Sequence, residues 1–139
     1  MSVNKDAVGQ LLDGIARRDV ELLSSLIHDD AEWWVPVSAA RLGLARPLHG
    51  RTAVVALLSG TSKFFKPDTT TWATLALIEE GPTVIAHVQR RCLTDRGNDY
   101  ENEYLLRFDF RDGRIATAWE QTDTAYAHAA ILADTQEMR

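Results

Sequence analysis

The sequence predicts an α+β domain in which short helices come first and an antiparallel meander follows, with the helices covering one face of a curved sheet. Three observations carry this. Val8, Leu11, Leu12 and Ile15 fall at i, i+3, i+4 and i+7, an apolar stripe of helical period. Between Tyr100 and Phe110 the period switches to two: Tyr100, Asn102, Tyr104, Leu106, Phe108 and Phe110 face one way, while Glu101, Glu103, Leu105, Arg107 and Asp109 face the other. Asp112-Gly113 then supplies a two-residue hairpin signal between β-type residues.

The remaining elements follow in order. Asp19 reads as the N-cap of a second short helix carrying Leu22, Leu23, Leu26 and Ile27. Asp29-Asp30 breaks that helix, and Ala31–Val37 reads as a strand ended near Pro36. Residues 38–50 contain Gly43, Pro47 and Gly50 and read as a loop, long enough to form a lid or pocket rim. Arg51–Leu58 is a third helix ending near Gly60, so Ser59-Gly60-Thr61-Ser62 is a helix end and not a phosphate loop. Strands are expected at Thr69–Glu79, Thr83–Thr94 and Arg114–Thr122, and Thr124–Asp134 reads as a terminal helix or tail.

Length and composition bound the function. With 139 residues the chain reads as a single domain over 1–139, and a chain of this size buries roughly 70% of its unfolded surface without staples. Twenty acidic against 15 basic residues give a net charge of −5, with no Lys/Arg-rich run, so neither nucleic acid nor an anionic membrane surface is an expected partner. No apolar run approaches the ~18 residues of a membrane helix, and the N-terminus does not read as a secretory signal. Cys92 is the single cysteine, which excludes an intrachain disulfide and makes a reducing cytoplasm the expected location. His28, His49, His87 and His128 show no ligand spacing, so no metal site is expected, and no nucleotide signature implies a cofactor. His87 and Cys92, five residues apart on one strand, fall on opposite faces, which argues against a Cys–His nucleophile pair.

Several segments, taken in order, carry a family resemblance. They are the opening helix running into Arg18-Asp19, His28-Asp29-Asp30-Ala31-Glu32-Trp33, His49-Gly50-Arg51-Thr52-Ala53-Val54, Tyr100-Glu101-Asn102-Glu103-Tyr104, Asp112-Gly113-Arg114-Ile115 and Trp119-Glu120-Gln121-Thr122-Asp123. Together they resemble the nuclear transport factor 2-like superfamily, in its SnoaL-like, ketosteroid-isomerase-like branch. The resemblance implies a cone-shaped fold whose strongly curved, mostly antiparallel sheet encloses an apolar pocket for a small molecule, and a homodimer formed through the sheet. It includes ketosteroid isomerases, polyketide cyclases, limonene-epoxide-type hydrolases and proteins with no chemistry, so it implies the pocket and not the reaction.

The resemblance can be followed residue by residue. Isomerase chemistry of the ketosteroid type needs an Asp base beside the strand-one proline, where this chain has Val35, and an oxyanion pair for which it offers Leu11 and Leu105 or a neighbour, so that reaction is not expected. SnoaL-like cyclases resemble a Trp followed by a catalytic Asp after the hairpin, and Trp119-Glu120 falls there with Glu in place of Asp. Epoxide hydrolases of this type add an Arg and a second Asp two residues on; Arg90 matches the Arg, but the Asp position is Cys92, a poor proton donor. An aldol cyclisation or enolisation needs only one positioned carboxylate and groups to hold an oxyanion. Glu120 as acid/base and Arg90 as its orienter or oxyanion stabiliser are therefore the candidate catalytic residues. Asn102, Trp33, Trp34, Tyr104, Tyr100 and Trp119 are candidate substrate contacts. A structural Arg90–Glu120 ion pair, a satisfied core amide at Asn102 and purely core tryptophans are the plainer readings of the same residues. A non-catalytic binding domain or dimeric scaffold of the same fold is the alternative function.

Overall fold

The computed structural model describes residues 2–60 and 63–134, so Thr61 and Ser62 of the segment read as a helix end lie outside the described residues. Helix α1 spans Val3–Arg17 and buries Val8, Leu11, Leu12 and Ile15, the stripe of helical period. The chain leaves α1 through Arg18 in the left-handed region (φ 52°), and Asp19 caps α2 (Val20–Leu26) by accepting from the Leu22 amide at 3.0 Å. Helix α3 covers Arg51–Leu58, and α4 covers Thr124–Leu132 with Asp123 accepting from Tyr126 N at 3.0 Å.

Six strands form one curled, unclosed sheet: β1 (Ile27–Trp34), β2 (Leu48–His49), β3 (Thr71–Glu80), β4 (Thr83–Leu93), β5 (Asp99–Arg111) and β6 (Arg114–Thr122). Their order is β2-β1-β6-β5-β4-β3. The second half of the chain is the expected meander, with Asp112 and Gly113 both at positive φ in the β5–β6 turn. The exception to antiparallel pairing is β1, which lies parallel to β6 with Trp33 opposite Ala118 and Trp34 opposite Trp119. Register shifts at Thr74/Ala76, Asp109/Phe110 and Ile27/Glu32 are irregularities of the bulge type, which bend a sheet and raise its twist.

Two sequence-based boundaries are corrected. The first strand begins at Ile27, not Ala31, and stops before Val35-Pro36. Ile27 is the first β residue and not the last helical one, and the exposed Asp29-Asp30 sits in the irregular stretch between its two paired portions. The segment read as a loop over 38–50 contains a 3₁₀ helix at Val37–Leu42 and the strand β2, whose two residues pair with Glu32 and Trp33. Two paired residues are too few to show alternation in sequence.

The concave face of the sheet is the apolar one. Val84, Ala86 and Val88 from β4, Leu106 and Phe108 from β5, and Ile115 and Ala118 from β6 are buried there with Val8, Leu11, Leu23 and Val54 from the helices. Burial alternates along β5 as its sequence does. Cys92 is a free thiol buried on this face, raised in pKa chiefly by that burial, and behaves as a small apolar residue. The convex face carries the charged row, including His87 with Glu103 at 2.6 Å, Arg91 with Glu101 at 3.2 Å and Arg107 with Asp109 at 3.3 Å. Among the described residues no helix is long and apolar enough to cross a membrane.

Asn98 ties α4 to the sheet. It is buried, and its Nδ2 donates to the carbonyls of Ala130 (2.9 Å) and Ala133 (2.8 Å) at the helix end, where carbonyls lack intrahelical partners. Replacing Asn98→Ala leaves both carbonyls unsatisfied and should lower stability by about 1–3 kcal/mol in urea unfolding. Amide exchange over Thr124–Leu132 should accelerate more than over α1.

Candidate functional site

The curled sheet, helices α1, α3 and α4, and the segment after β1 enclose a cavity of about 140 Å³. Its walls are mostly apolar and aromatic. Ile15, Leu57 and Ile131 come from the helices, Leu42 and Leu44 from the rim segment, and Trp33, Phe65, Trp72, Tyr100 and Tyr104 from the sheet and its flanks. The rings pack on one another edge-on or tilted: Trp72 with Tyr104 at 6.0 Å, Phe65 with Tyr100 at 4.8 Å, and Trp33 with Phe108 at 6.0 Å. The segment 38–50, read as a lid or rim, supplies Ser38, Ala39, Leu42 and Leu44 to this wall.

Glu120 is the one carboxylate among the lining residues. Alternation on β6 points it to the same face as Ala118, and Ala118 is the cross-strand partner of Trp33. The Trp33 indole therefore reaches across the parallel pair and donates from Nε1 to Glu120 Oε1 at 2.8 Å. Glu120 keeps some accessible surface, but that surface faces the cavity. Burial in this apolar setting raises its carboxyl above the ordinary carboxylate value, against the opposing pulls of the Trp33 hydrogen bond and the Arg90 charge.

Arg90 also lines the cavity, on the face it shares with Val84, Ala86 and Val88. It forms no ion pair with Glu120. Nε and Nη2 donate to Thr70 Oγ1 at 3.2 and 3.0 Å, and the guanidinium lies over the rings of Phe65 (4.1 Å) and Trp72 (5.1 Å). The buried-ion-pair reading of these two residues therefore does not describe the structure.

The candidate substrate contacts divide. Trp33, Tyr100 and Tyr104 line the cavity; Asn102, Trp34 and Trp119 do not. Asn102 is a satisfied amide behind the site, donating from Nδ2 to Tyr100 Oη (3.0 Å) and to the Asp123 carbonyl (3.1 Å). Tyr100 and Tyr104 share a 2.5 Å hydrogen bond between their hydroxyls, and burial raises both phenols, Tyr104 well above the usual value. Trp34 and Trp119 are paired across β1–β6 on the other face, where Arg46 stacks over Trp34 (5.2 Å) and Arg107 over Trp119 (4.6 Å). The reason is parity: a residue adjacent to Trp33 or Glu120 on a strand must point away from the cavity.

Sequence reasoning missed Arg18, Lys63, Phe65, Thr70, Trp72 and His128, all of which line the cavity. Trp72 alone carried a signal, since its β3 position opposite Arg90 places both on one face. Arg18, Lys63, Phe65 and Thr70 come from a helix end and connections, where no period marks an inward direction, and His128 lies within α4, whose composition carries no clear apolar stripe. Arg18 reaches the site because Gly60 has no side chain; a Cβ there would lie 2.5 Å from the Arg18 guanidinium carbon. Among the described residues no group of three His, Cys, Asp or Glu side chains is placed to hold a metal.

The architecture and the sequence both have relatives. An NTF2-like protein of unknown function from Burkholderia pseudomallei superposes with a TM-score of 0.85 at 24% identity, over 96% of this chain and 100% of that one. TerC, co-crystallised with polyporic acid, gives 0.82 at 25% identity over 95% and 100%. IdmH of Streptomyces antibioticus, a proposed polyketide cyclase, gives 0.73 at 25% identity over 90% and 95%. No curated protein matches the chain in sequence. A family model described as a SnoaL-like domain matches residues 8–118, and on that match, with the cone-shaped α+β fold and its cavity, the chain belongs to the SnoaL-like domain family of the nuclear transport factor 2-like superfamily.

Proposed function

We propose that this chain is an acid/base enzyme acting on a small, largely apolar, oxygenated molecule held in the cavity. The observation that carries the reading is Glu120: a single lining carboxylate in apolar surroundings, held by Trp33, with its pKa raised. A carboxyl whose pKa moves up toward the working pH is a better proton carrier in both directions than an ordinary surface carboxylate. In this reading the Glu120 carboxylate removes a proton beside a substrate carbonyl. Arg90 stabilises the enolate oxyanion that develops, with the hydrogen-bonded Tyr100–Tyr104 pair offering one neighbouring donor. Glu120 returns the proton either to another carbon in an isomerisation or to the alkoxide formed when the enolate carbon bonds to a second substrate carbonyl in a cyclisation. Asn102 positions Tyr100 in place of contacting substrate. The polyketide cyclase assignment of IdmH and the polyporic acid bound to TerC support a small organic substrate of this kind.

We further propose a homodimer formed through the convex face of the sheet. Ile78, Ile85 and Leu105 are large apolar residues exposed there at 62, 42 and 53%. The lone, buried Cys92 fits a cytoplasmic location.

Once a substrate is found by screening, Glu120→Gln should lower turnover by about 10²–10⁴-fold, the usual contribution of general acid–base catalysis. Turnover unchanged in the variant would remove Glu120 from the mechanism, and ligand binding without turnover in the wild type would favour the binding-domain alternative. The raised pKa has a separate consequence for stability. The folded state holds the Glu120 proton to higher pH than the unfolded chain does, so the contribution is present below the ordinary Glu value. It is lost as pH rises through the folded-state pKa. Glu120→Gln should therefore gain stability relative to wild type at neutral pH, and the gain should vanish in acid, read by melting temperature from pH 4 to 8. In sedimentation equilibrium at micromolar concentration the protein should run as a dimer of 15.5 kDa chains, and Leu105→Arg should shift it to monomer.

A further inference from the structure

The charge balance of the cavity is the reverse of that of the chain. Over the whole sequence 20 acidic residues outnumber 15 basic ones. Among the lining residues Arg18, Lys63 and Arg90 face a single carboxylate, Glu120, and His128 adds a further ionisable nitrogen. Among the described residues none of the three cations has a carboxylate within ion-pair distance. Elsewhere five arginines pair with acids, Arg17 with Asp19, Arg51 with Asp29, Arg91 with Glu101, Arg96 with Asp134 and Arg107 with Asp109, whereas Arg46 is held by the Val35 carbonyl and Arg111 lies against His28. Arg18 donates instead to the Phe65 carbonyl at 2.5 Å, and Arg90 to the neutral Thr70 hydroxyl.

The hydrogen-bonding inventory points the same way. A guanidinium has five N–H donors and no acceptor. Arg90 spends Nε and Nη2 on the Thr70 hydroxyl and also interacts with the Cys92 thiol, so the partners it has within the protein are uncharged. Trp72, stacked beside it, has an indole N–H buried without an acceptor. Of the one lining carboxylate, Oε1 is already engaged by Trp33. The site thus offers more donors than acceptors, and the half-buried Arg90 cation between Phe65 and Trp72 has no carboxylate in contact with it.

We infer that the occupant supplies that counter-charge: the cavity takes a small apolar molecule bearing a carboxylate, whose oxygens are received by Arg90, with Arg18 and Lys63 favouring the anion around it. The aromatic walls take the body of the ligand, and planar guanidinium–carboxylate matching fixes its orientation. This deepens the proposed function by naming a substrate class, and it rests on the reading of the cavity as a small-molecule site. It does not require Glu120 to perform chemistry.

The test uses a matched pair of probes, 2-naphthoate and the neutral 2-naphthamide, titrated by calorimetry at pH 7 into the full chain. The expected result is at least tenfold tighter binding of the naphthoate. That preference should fall below about threefold in Arg90→Met, shrink by a smaller factor in the surface variant Lys63→Gln, and persist in Glu120→Gln. Lys63→Gln and the wild-type preference keep the test decisive if Arg90→Met does not fold. Equal or tighter binding of the amide by the wild type would overturn the carboxylate proposal while leaving the small-molecule cavity intact. Absence of binding by both probes at millimolar concentration would overturn the proposal together with the small-molecule reading. A preference that survives both Arg90→Met and Lys63→Gln would overturn the assigned receptor.

Discussion

The parallel pairing of β1 with β6 is the constraint on which the rest of the molecule depends. The meander from β3 to β6 is built from contacts between neighbours in sequence, but β1 is joined to β6 by residues more than eighty positions away. That pairing carries β2, the rim segment and the flanking helices onto the sheet, and without it the concave face has no far wall. It also creates the defining contact of the site, since the register that sets Trp33 opposite Ala118 brings the indole N–H to Glu120. Long-range pairing of this kind is the entropically expensive step of assembly, because a large loop must close before the contacts that reward it exist.

The same pairing sets the electrostatics. A carboxyl at the end of β6 in an open sheet would be solvated and ordinary. Enclosed by Trp33, Tyr104 and Leu106, it loses water on most sides, and desolvation outweighs both the indole donor and the charge of Arg90. Arg90 is kept from quenching it by being held elsewhere, on Thr70 and between two aromatic rings. Acid and cation thus face one cavity without neutralising each other, a separation that a contact ion pair would have removed.

Much of this was legible in the residues. The stripe on α1, the cap at Asp19, the alternation of β5 and the Asp112-Gly113 turn are local signals, and each element formed where its signal lay. Glu120 and Arg90 were found through the family resemblance plus strand parity, and both line the cavity. Parity also explains the misassigned pair: Trp34 and Trp119 sit beside the right residues in sequence and therefore face the opposite side. Asn102 has inward parity but sits behind Tyr100, and period alone does not give depth along a strand.

The sequence by itself determined the α+β class, the order and most bounds of the elements and the apolar inner face, because these rest on short-range periodicity, capping and turn chemistry that each stretch of chain expresses on its own; the family was legible only through the resemblance of its ordered segments. Only the tertiary structure decided that β1 runs parallel to β6, that two residues at Leu48–His49 form a strand, and that Arg90 answers to Thr70 and not to Glu120. It alone gathered Arg18, Lys63, Phe65 and His128 around one cavity. The physical reason is common to all of these: local periodicity says which way a residue turns on its own element but not which distant segment packs opposite, so what it faces is settled only when those segments close around it.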